Sequence, residues 1–206
     1  MPPVSPDEAP YDLPKNWSWM KLGNLGETQT GTTPPSQQIE NFGNFIPFIG
    51  PGDINKFYIN YNNKGLSETG LSKGRLIKNN SILMVCIGGS IGKCAINSID
   101  VTCNQQINTL TPYITETLKY IFYSVISPYF QLFIVEMAGG SATPIINKQK
   151  WSNIFIPLPP LAEQTRIVAK VDQLMALCDS LETKLAQAGT SSETLITASI
   201  RNLIAA

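Results

Sequence analysis

Gly88-Gly89-Ser90-Ile91-Gly92-Lys93-Cys94 has the outline of a phosphate-binding loop. Such a loop needs four residues between its glycines and a Ser or Thr after the lysine, whose hydroxyl reaches a magnesium ion. Here three residues separate Gly88 from Gly92, and Cys94 follows Lys93. The segment therefore reads as a glycine turn between two strands. Its backbone N–H groups and an exposed Lys93 could still approach a nucleic-acid phosphate. Two other segments carry polar groups suited to contact. Gly31-Thr32-Thr33-Pro34-Pro35 is a rigid turn with two hydroxyls, and Asn104-Gln105-Gln106 is an amide cluster ahead of an apolar run. An amide can read an adenine edge with two hydrogen bonds, but it can equally satisfy the backbone of a turn. For each segment taken alone, the structural role has the stronger claim.

No catalytic set accompanies these groups. The chain has no histidine, which removes Ser-His-Asp and Cys-His catalysis, imidazole bases and His-ligated zinc. No two carboxylates pair as an acid/base couple. Neither an FxGxG-type S-adenosylmethionine loop nor an Asn-Pro-Pro-Tyr motif is present. Cys86, Cys94, Cys103 and Cys178 form no CxxC, so neither a metal knuckle nor a thioredoxin-type redox site is expected. Four free thiols suit a reducing cytoplasm. The expectation is a chain with no catalytic residue, no metal and no cofactor of its own.

Charge narrows the partners. Lys+Arg and Asp+Glu number 15 each, so neither a strongly basic coat nor an acidic mimic describes the whole chain. The distribution is uneven. Leu13 to Leu158 holds eleven Lys and Arg against seven Asp and Glu. Lys64, Lys73, Arg75 and Lys78 cluster, and Lys148 and Lys150 stand with no acid between Glu136 and Glu163. A modest basic surface of this kind can bind a phosphate backbone, although ordinary solvated lysines would look the same in sequence.

The elements that must hold these residues change character near residue 157. Before it, short apolar runs are bounded by Gly and Pro, as in Phe45 to Ile49 and Ile82 to Cys86, and read as buried strands. Further strands are expected at Trp19–Leu22, Phe57–Ile59, Cys94–Ile96, Thr109–Tyr113 and Ile154–Leu158, with helices at Thr115–Ser124 and Pro128–Met137. Tyr120 to Val135 is uncharged, but it falls short of the roughly 20 residues of a spanning helix and is interrupted by Ser127-Pro128. Two buried helices, the second capped by Ser127, are expected there, and no membrane association. The fold class is mixed α/β (α+β).

After Pro157-Leu158-Pro159-Pro160, residues 161–188 contain no Gly or Pro. Ile167, Val171, Leu174, Cys178, Leu181, Leu185 and Ala188 are spaced alternately by four and three, a heptad seam on a helix roughly 40 Å long. Val168, Met175 and Leu177 widen the stripe towards a bundle. Gly189 is expected to end this helix, and Thr190-Ser191-Ser192-Glu193 to start a shorter one over about 192–205. The division is an N-terminal extension, 1–12, an α/β domain, 13–158, and a long coiled-coil-type helical arm, 159–206.

Leu13-Pro14-Lys15-Asn16-Trp17-Ser18-Trp19-Met20-Lys21-Leu22-Gly23 resembles the opening of a target recognition domain of the specificity (S) subunit of type I restriction-modification systems. Gly31-Thr32-Thr33-Pro34, Ile91-Gly92-Lys93 and Asn104-Gln105 resemble its middle. Trp151 to Val168, through Pro157-Leu158-Pro159-Pro160-Leu161-Ala162-Glu163-Gln164, resembles its strongest signature. The resemblance implies a non-catalytic subunit that reads a bipartite DNA target. Separate M subunits then methylate adenine with S-adenosylmethionine, and an R subunit acts as motor and nuclease. Such subunits carry two recognition domains and two helical spacers, so this chain resembles a half-length form with one of each. The candidate DNA contacts are Thr32, Thr33, Lys64, Lys73, Arg75, Lys93, Gln105, Lys148 and Lys150. Ile167, Val171, Leu174, Cys178, Leu181 and Leu185 would form a seam for a homodimer. The rival reading is an assembly or regulatory protein that uses the helical arm without reading DNA.

Overall fold

A computed structural model describes residues 9–55, 57–138 and 143–204, the last with side chains only to Glu193 and at Ile196. Most of the expected N-terminal extension, residues 1–8, lies outside the described residues. The strands are β1 (Ser18–Lys21), β2 (Gly26–Thr30), β3 (Phe42–Ile49), β4 (Ile54–Asn55), β5 (Tyr58–Ile59), β6 (Gly65–Leu66), β7 (Ile82–Val85), β8 (Cys94–Ile96), β9 (Thr102–Cys103), β10 (Ile107–Pro112) and β11 (Phe155–Leu158). The helices are α1 (Glu68–Lys73), α2 (Leu118–Ile126), α3 (Pro128–Met137), α4 (Lys148–Ser152) and α5 (Leu161–Ile204).

A four-stranded antiparallel sheet, ordered β2-β10-β7-β8, forms the centre. Successive side chains of a strand point to opposite faces, and β7 is apolar on both. Ile82 and Met84 join one core with Leu110, Ile121, Phe130 and the fully buried Trp151. Leu83 and Val85 join another with Ile49, Val101 and Ile107. The first core is roofed by α2 and α3, whose Tyr120, Ile121, Phe122, Val125, Phe130 and Ile134 are buried. On the second face lie the β6-β3-β9 sheet and the β4-β5 hairpin. β1 pairs with β11, so the start of the domain is fastened to the segment just before α5.

The expected cap is present: the Ser127 hydroxyl accepts from the Phe130 N–H, and Pro128 opens α3. Among the described residues no single helix is long and apolar enough to cross a membrane. α2 and α3 together meet the length and composition criterion, but they are bent by 63° and their apolar faces fill the core.

The backbone divides into two compact units, one to Gln164 and one from Thr165. The second differs from the sequence expectation. α5 is one helix of 44 residues, and Gly189 lies inside it. A glycine costs a helix interior about 1 kcal/mol relative to Ala without forbidding it. Thr190 turns its hydroxyl back to the Ala186 carbonyl at 3.1 Å, a bond that keeps the residue helical rather than making it a cap. The two helices expected at about 161–188 and 192–205 are thus a single element, and residues 205–206 lie outside the described residues. Residues 173–193 are all exposed.

Candidate nucleic-acid interface

Antiparallel register decides which loops meet. Thr30 faces Asn108, Ile107 faces Val85, and Met84 faces Cys94. The end of β2, the start of β10, the end of β7 and the start of β8 therefore lie at one end of the central sheet. The loops 31–38, 86–93 and 104–106 emerge there together. A fourth segment joins them: the Gly88 N–H donates to the Pro144 carbonyl, and the Ile146 N–H to that of Cys86. It leads into α4, capped by Asn147, whose side chain accepts from the Lys150 N–H at 2.8 Å.

The fit between these loops is tight. A Cβ on Gly31 would stand 2.2 Å from the Asn104 carbonyl oxygen and 2.3 Å from that of Cys103, so only glycine fits. The Thr32 N–H donates to Cys103 O at 2.8 Å. The Thr33 hydroxyl donates to Gln105 Oε1 at 2.6 Å, and both side chains are exposed. Asn104 is structural: its Oδ1 accepts from the Gln106 N–H and its Nδ2 donates to Gln106 Oε1. The Gly88 to Gly92 segment is the expected strand-connecting turn, with both glycines at φ near +90°, a region that disfavours other residues. Lys93 follows, exposed.

Two cations line β2. Among the described residues this strand has a neighbour only on its β10 side, which leaves outward carbonyls. Arg75 Nη1 donates to Thr30 O at 2.7 Å, and Lys148 Nζ to Thr28 O at 3.4 Å. Lys73 Nζ donates to Gln38 Oε1 at 2.8 Å and to Asn41 Oδ1 at 2.9 Å. Asn41 is buried, so this lysine braces the 31–41 segment. Lys150 is exposed on α4.

Of the nine sequence candidates, Thr32, Thr33, Lys93, Gln105, Arg75 and Lys148 come together at or beside the loop end of the sheet. Lys150 shares α4 with Lys148, and Lys73 is tied to the adjoining loop. Lys64 is not among them: it lies beside Tyr61 and Ile99 on a separate cleft of about 450 Å³. Sequence reasoning missed Gln38 and Asn41 as partners of Lys73, and it missed a cleft of about 420 Å³ walled by Phe57, Lys93 and Gln131. These groupings join residues 32 to 74 positions apart, beyond the reach of a local motif.

The groups gathered at the loop end offer hydroxyl, amide and cationic contacts. Burial pushes the thiols of Cys86, Cys94 and Cys103 up to about 12, so none is a nucleophile near neutrality. No cluster of three or more metal-binding side chains occurs among the described residues. Along α5, Leu174 is 49 %, Leu181 51 % and Leu185 72 % exposed. With the exposed Cys178 and the half-buried Ile167 and Val171 they form one apolar stripe.

The family model for the type I restriction modification DNA specificity domain matches residues 14–188. The chain is 28% identical over 169 residues to the type I restriction enzyme EcoR124I/EcoR124II specificity subunit of Escherichia coli, covering 79% of this chain and 42% of that one. It is 30% identical over 181 residues to the EcoBI specificity subunit of Escherichia coli, covering 82% and 37%. It superposes on the crystal structure of the HsdS subunit from Thermoanaerobacter tengcongensis with a TM-score of 0.66 at 25% identity, over 84% of this chain and 40% of that one. The chain thus spans less than half the length of these relatives.

Proposed function

The chain belongs to the type I restriction modification DNA specificity domain family, and from that premise we propose that it is a non-catalytic, sequence-specific reader of double-stranded DNA. The observation that carries this reading is the sheet register, which gathers six of nine polar and basic candidates at one end of a rigid sheet. Arg75, Lys93 and Lys148 contribute charge for phosphates, and Thr33 and Gln105 offer an exposed hydroxyl and amide for base edges. The reader directs partner M subunits, which hold S-adenosylmethionine and methylate adenine, and an R subunit, which cleaves. It brings no cofactor of its own and works in the cytoplasm. Mapping methylated adenines in DNA treated with the reconstituted complex tests this: one sequence motif is expected, and methylation without a motif would refute it.

The α5 stripe supports a second part of the reading, a coiled-coil homodimer. Burying the exposed leucines of two copies against each other removes apolar surface from water. Two identical readers then face a bipartite palindromic target. The rival function, assembly through α5 without DNA reading, draws on the zero net charge. A gel shift against randomised duplex DNA separates the two, because the rival predicts no enrichment of any sequence.

A further inference from the structure

One cleft at the loop end is unlike the rest of that surface. It has a volume of about 420 Å³, inside the roughly 300–1,000 Å³ of small-molecule sites. Buried Ile54, with Ile91 and Cys94, makes its floor, and Phe57, Lys93, Asn55 and Gln131 stand around it. No carboxylate is among its described lining residues.

Phe57 is held there in an unusual way. Its backbone has φ of +75°, a conformation that is costly for a bulky side chain and rarely adopted by one. The parallel bridge from Phe57 to Ala95 fixes the strained residue against β8. Its ring meets Phe122 edge to face at 5.7 Å, yet Phe57 remains 47 % exposed. An aromatic ring held at such a cost and half open to water offers a stacking platform. Gln131, which also lines the cleft, is pinned: its Nε2 donates to the Gly92 carbonyl at 3.2 Å and to that of Val125 at 2.7 Å. Its Oε1 occupies the space where a Cβ on Gly92 would be, 2.2 Å from that position. The side chain is thereby oriented, with an acceptor on the cleft wall. Asn55 supplies an exposed amide and Lys93 an exposed cation.

A flat aromatic group, an oriented acceptor, an amide and a cation without a carboxylate match one kind of ligand. We propose that this cleft binds a nucleotide unit, with its base stacked on Phe57, its base edge on Asn55 and Gln131 Oε1, and its phosphate at Lys93. The inference rests on the DNA-reading function, because the cleft is lined in part by the 86–93 loop. The nucleotide can come from an unpaired base of DNA or from a free mononucleotide.

The test uses the full chain and three probes: dAMP and dTMP, a duplex with one unpaired nucleotide, and the same duplex fully paired. Phe57→Gly removes the ring while suiting the positive φ, so it keeps the fold, and Phe57→Tyr restores the platform. The expected result is a loss of about ten-fold or more in affinity for the unpaired-base duplex with Phe57→Gly, rescue by Phe57→Tyr, and a smaller loss with Lys93→Ala. Affinity for the fully paired duplex should stay within two-fold in Phe57→Gly. If the same pattern is seen with dAMP or dTMP and not with the unpaired-base duplex, the site takes free nucleotides. Unchanged binding of every probe by both Phe57→Gly and Lys93→Ala overturns the proposal. Absence of paired-duplex binding by the unmutated chain, with nucleotide binding intact, overturns the DNA-reading function instead.

Discussion

Lys73 and Gln105 both qualify as DNA contacts by residue type, yet their surroundings give them different duties. Lys73 holds Gln38 and the buried Asn41. Lys73→Ala leaves a buried acceptor unpaired, which costs about 1–3 kcal/mol, so it should lower the melting temperature as well as DNA affinity. Gln105 is exposed and bonded only to Thr33 among the described side chains. Gln105→Ala should leave thermal stability nearly unchanged and alter preference at one base position by about 1–3 kcal/mol; a selection from randomised duplexes reads this directly. The thiols give a second check at this scale. Desolvation pushes Cys86, Cys94 and Cys103 up to about 12, and Cys178 is exposed. A thiol reagent at pH 8 should label only Cys178 in the native protein and all four thiols in denaturant. The linkage has a definite sign. The folded values lie above the ordinary value of a thiol, 9.0, so the stabilising contribution is complete below about pH 9 and is lost as pH rises towards 12. Each thiol adds about 1.4 kcal/mol per pH unit to that loss. Denaturant titrations at pH 8, 9.5 and 10.5 should show a steepening fall.

At the scale of elements, α5 carries the clearest prediction. Gly189 sits inside a continuous helix, and a Cβ there would meet nothing within 4 Å. Gly189→Ala should raise helicity and add about 1 kcal/mol, read by circular dichroism. Were Gly189 a stop between two helices, the same change would leave helicity flat or lower it. The sequence made α3 legible because its signals are local: Ser127, Pro128 and an apolar run all sit within ten residues. β7 and β8 were legible for the same reason, since their turn glycines carry the φ values that the motif implies. β2 was missed: Gly26-Glu27-Thr28-Gln29-Thr30 has no apolar alternation, and its strand form comes from pairing with β10 some 80 residues later. α1 and α4, at six and five residues, are too short for a periodic signal. The break at Gly189 was expected because glycine is a strong local stop signal, and helix continuity on both sides overrode it. The candidate site was half legible. Loops 31–33 and 104–106 announced themselves by composition, whereas Phe57 and Gln131 reach one cleft only through long-range packing.

At the scale of the whole molecule, charge and the exposed seam make separate predictions. The excess of Lys and Arg between Leu13 and Leu158 should make DNA binding fall with salt, since phosphate contacts release counterions. A log–log slope near zero would exclude phosphate contact. The seam concerns association. Leu174, Leu181 and Leu185 lie at spacings of seven and four on a helix whose residues 173–193 are all exposed. An apolar stripe left in water is unfavourable in proportion to its area, and a helix exposed on every side gains stability mainly by packing that stripe. A second copy supplies a matching stripe, and a two-fold axis pairs each seam with itself. Leu174→Glu with Leu181→Glu sets carboxylates where the two stripes would meet, and burying an unpaired charge is costly. The double variant should sediment as a monomer at micromolar concentration. Its recognition domain should stay folded, because Trp151, Phe130 and Leu110 fill a core to which neither leucine belongs. It should also bind a palindromic bipartite duplex no better than a single half-site, since two linked readers gain from effective concentration and one does not. An unmutated chain that sediments as a monomer under the same conditions, and that binds the bipartite and half-site duplexes equally, would show that the seam does not pair two copies.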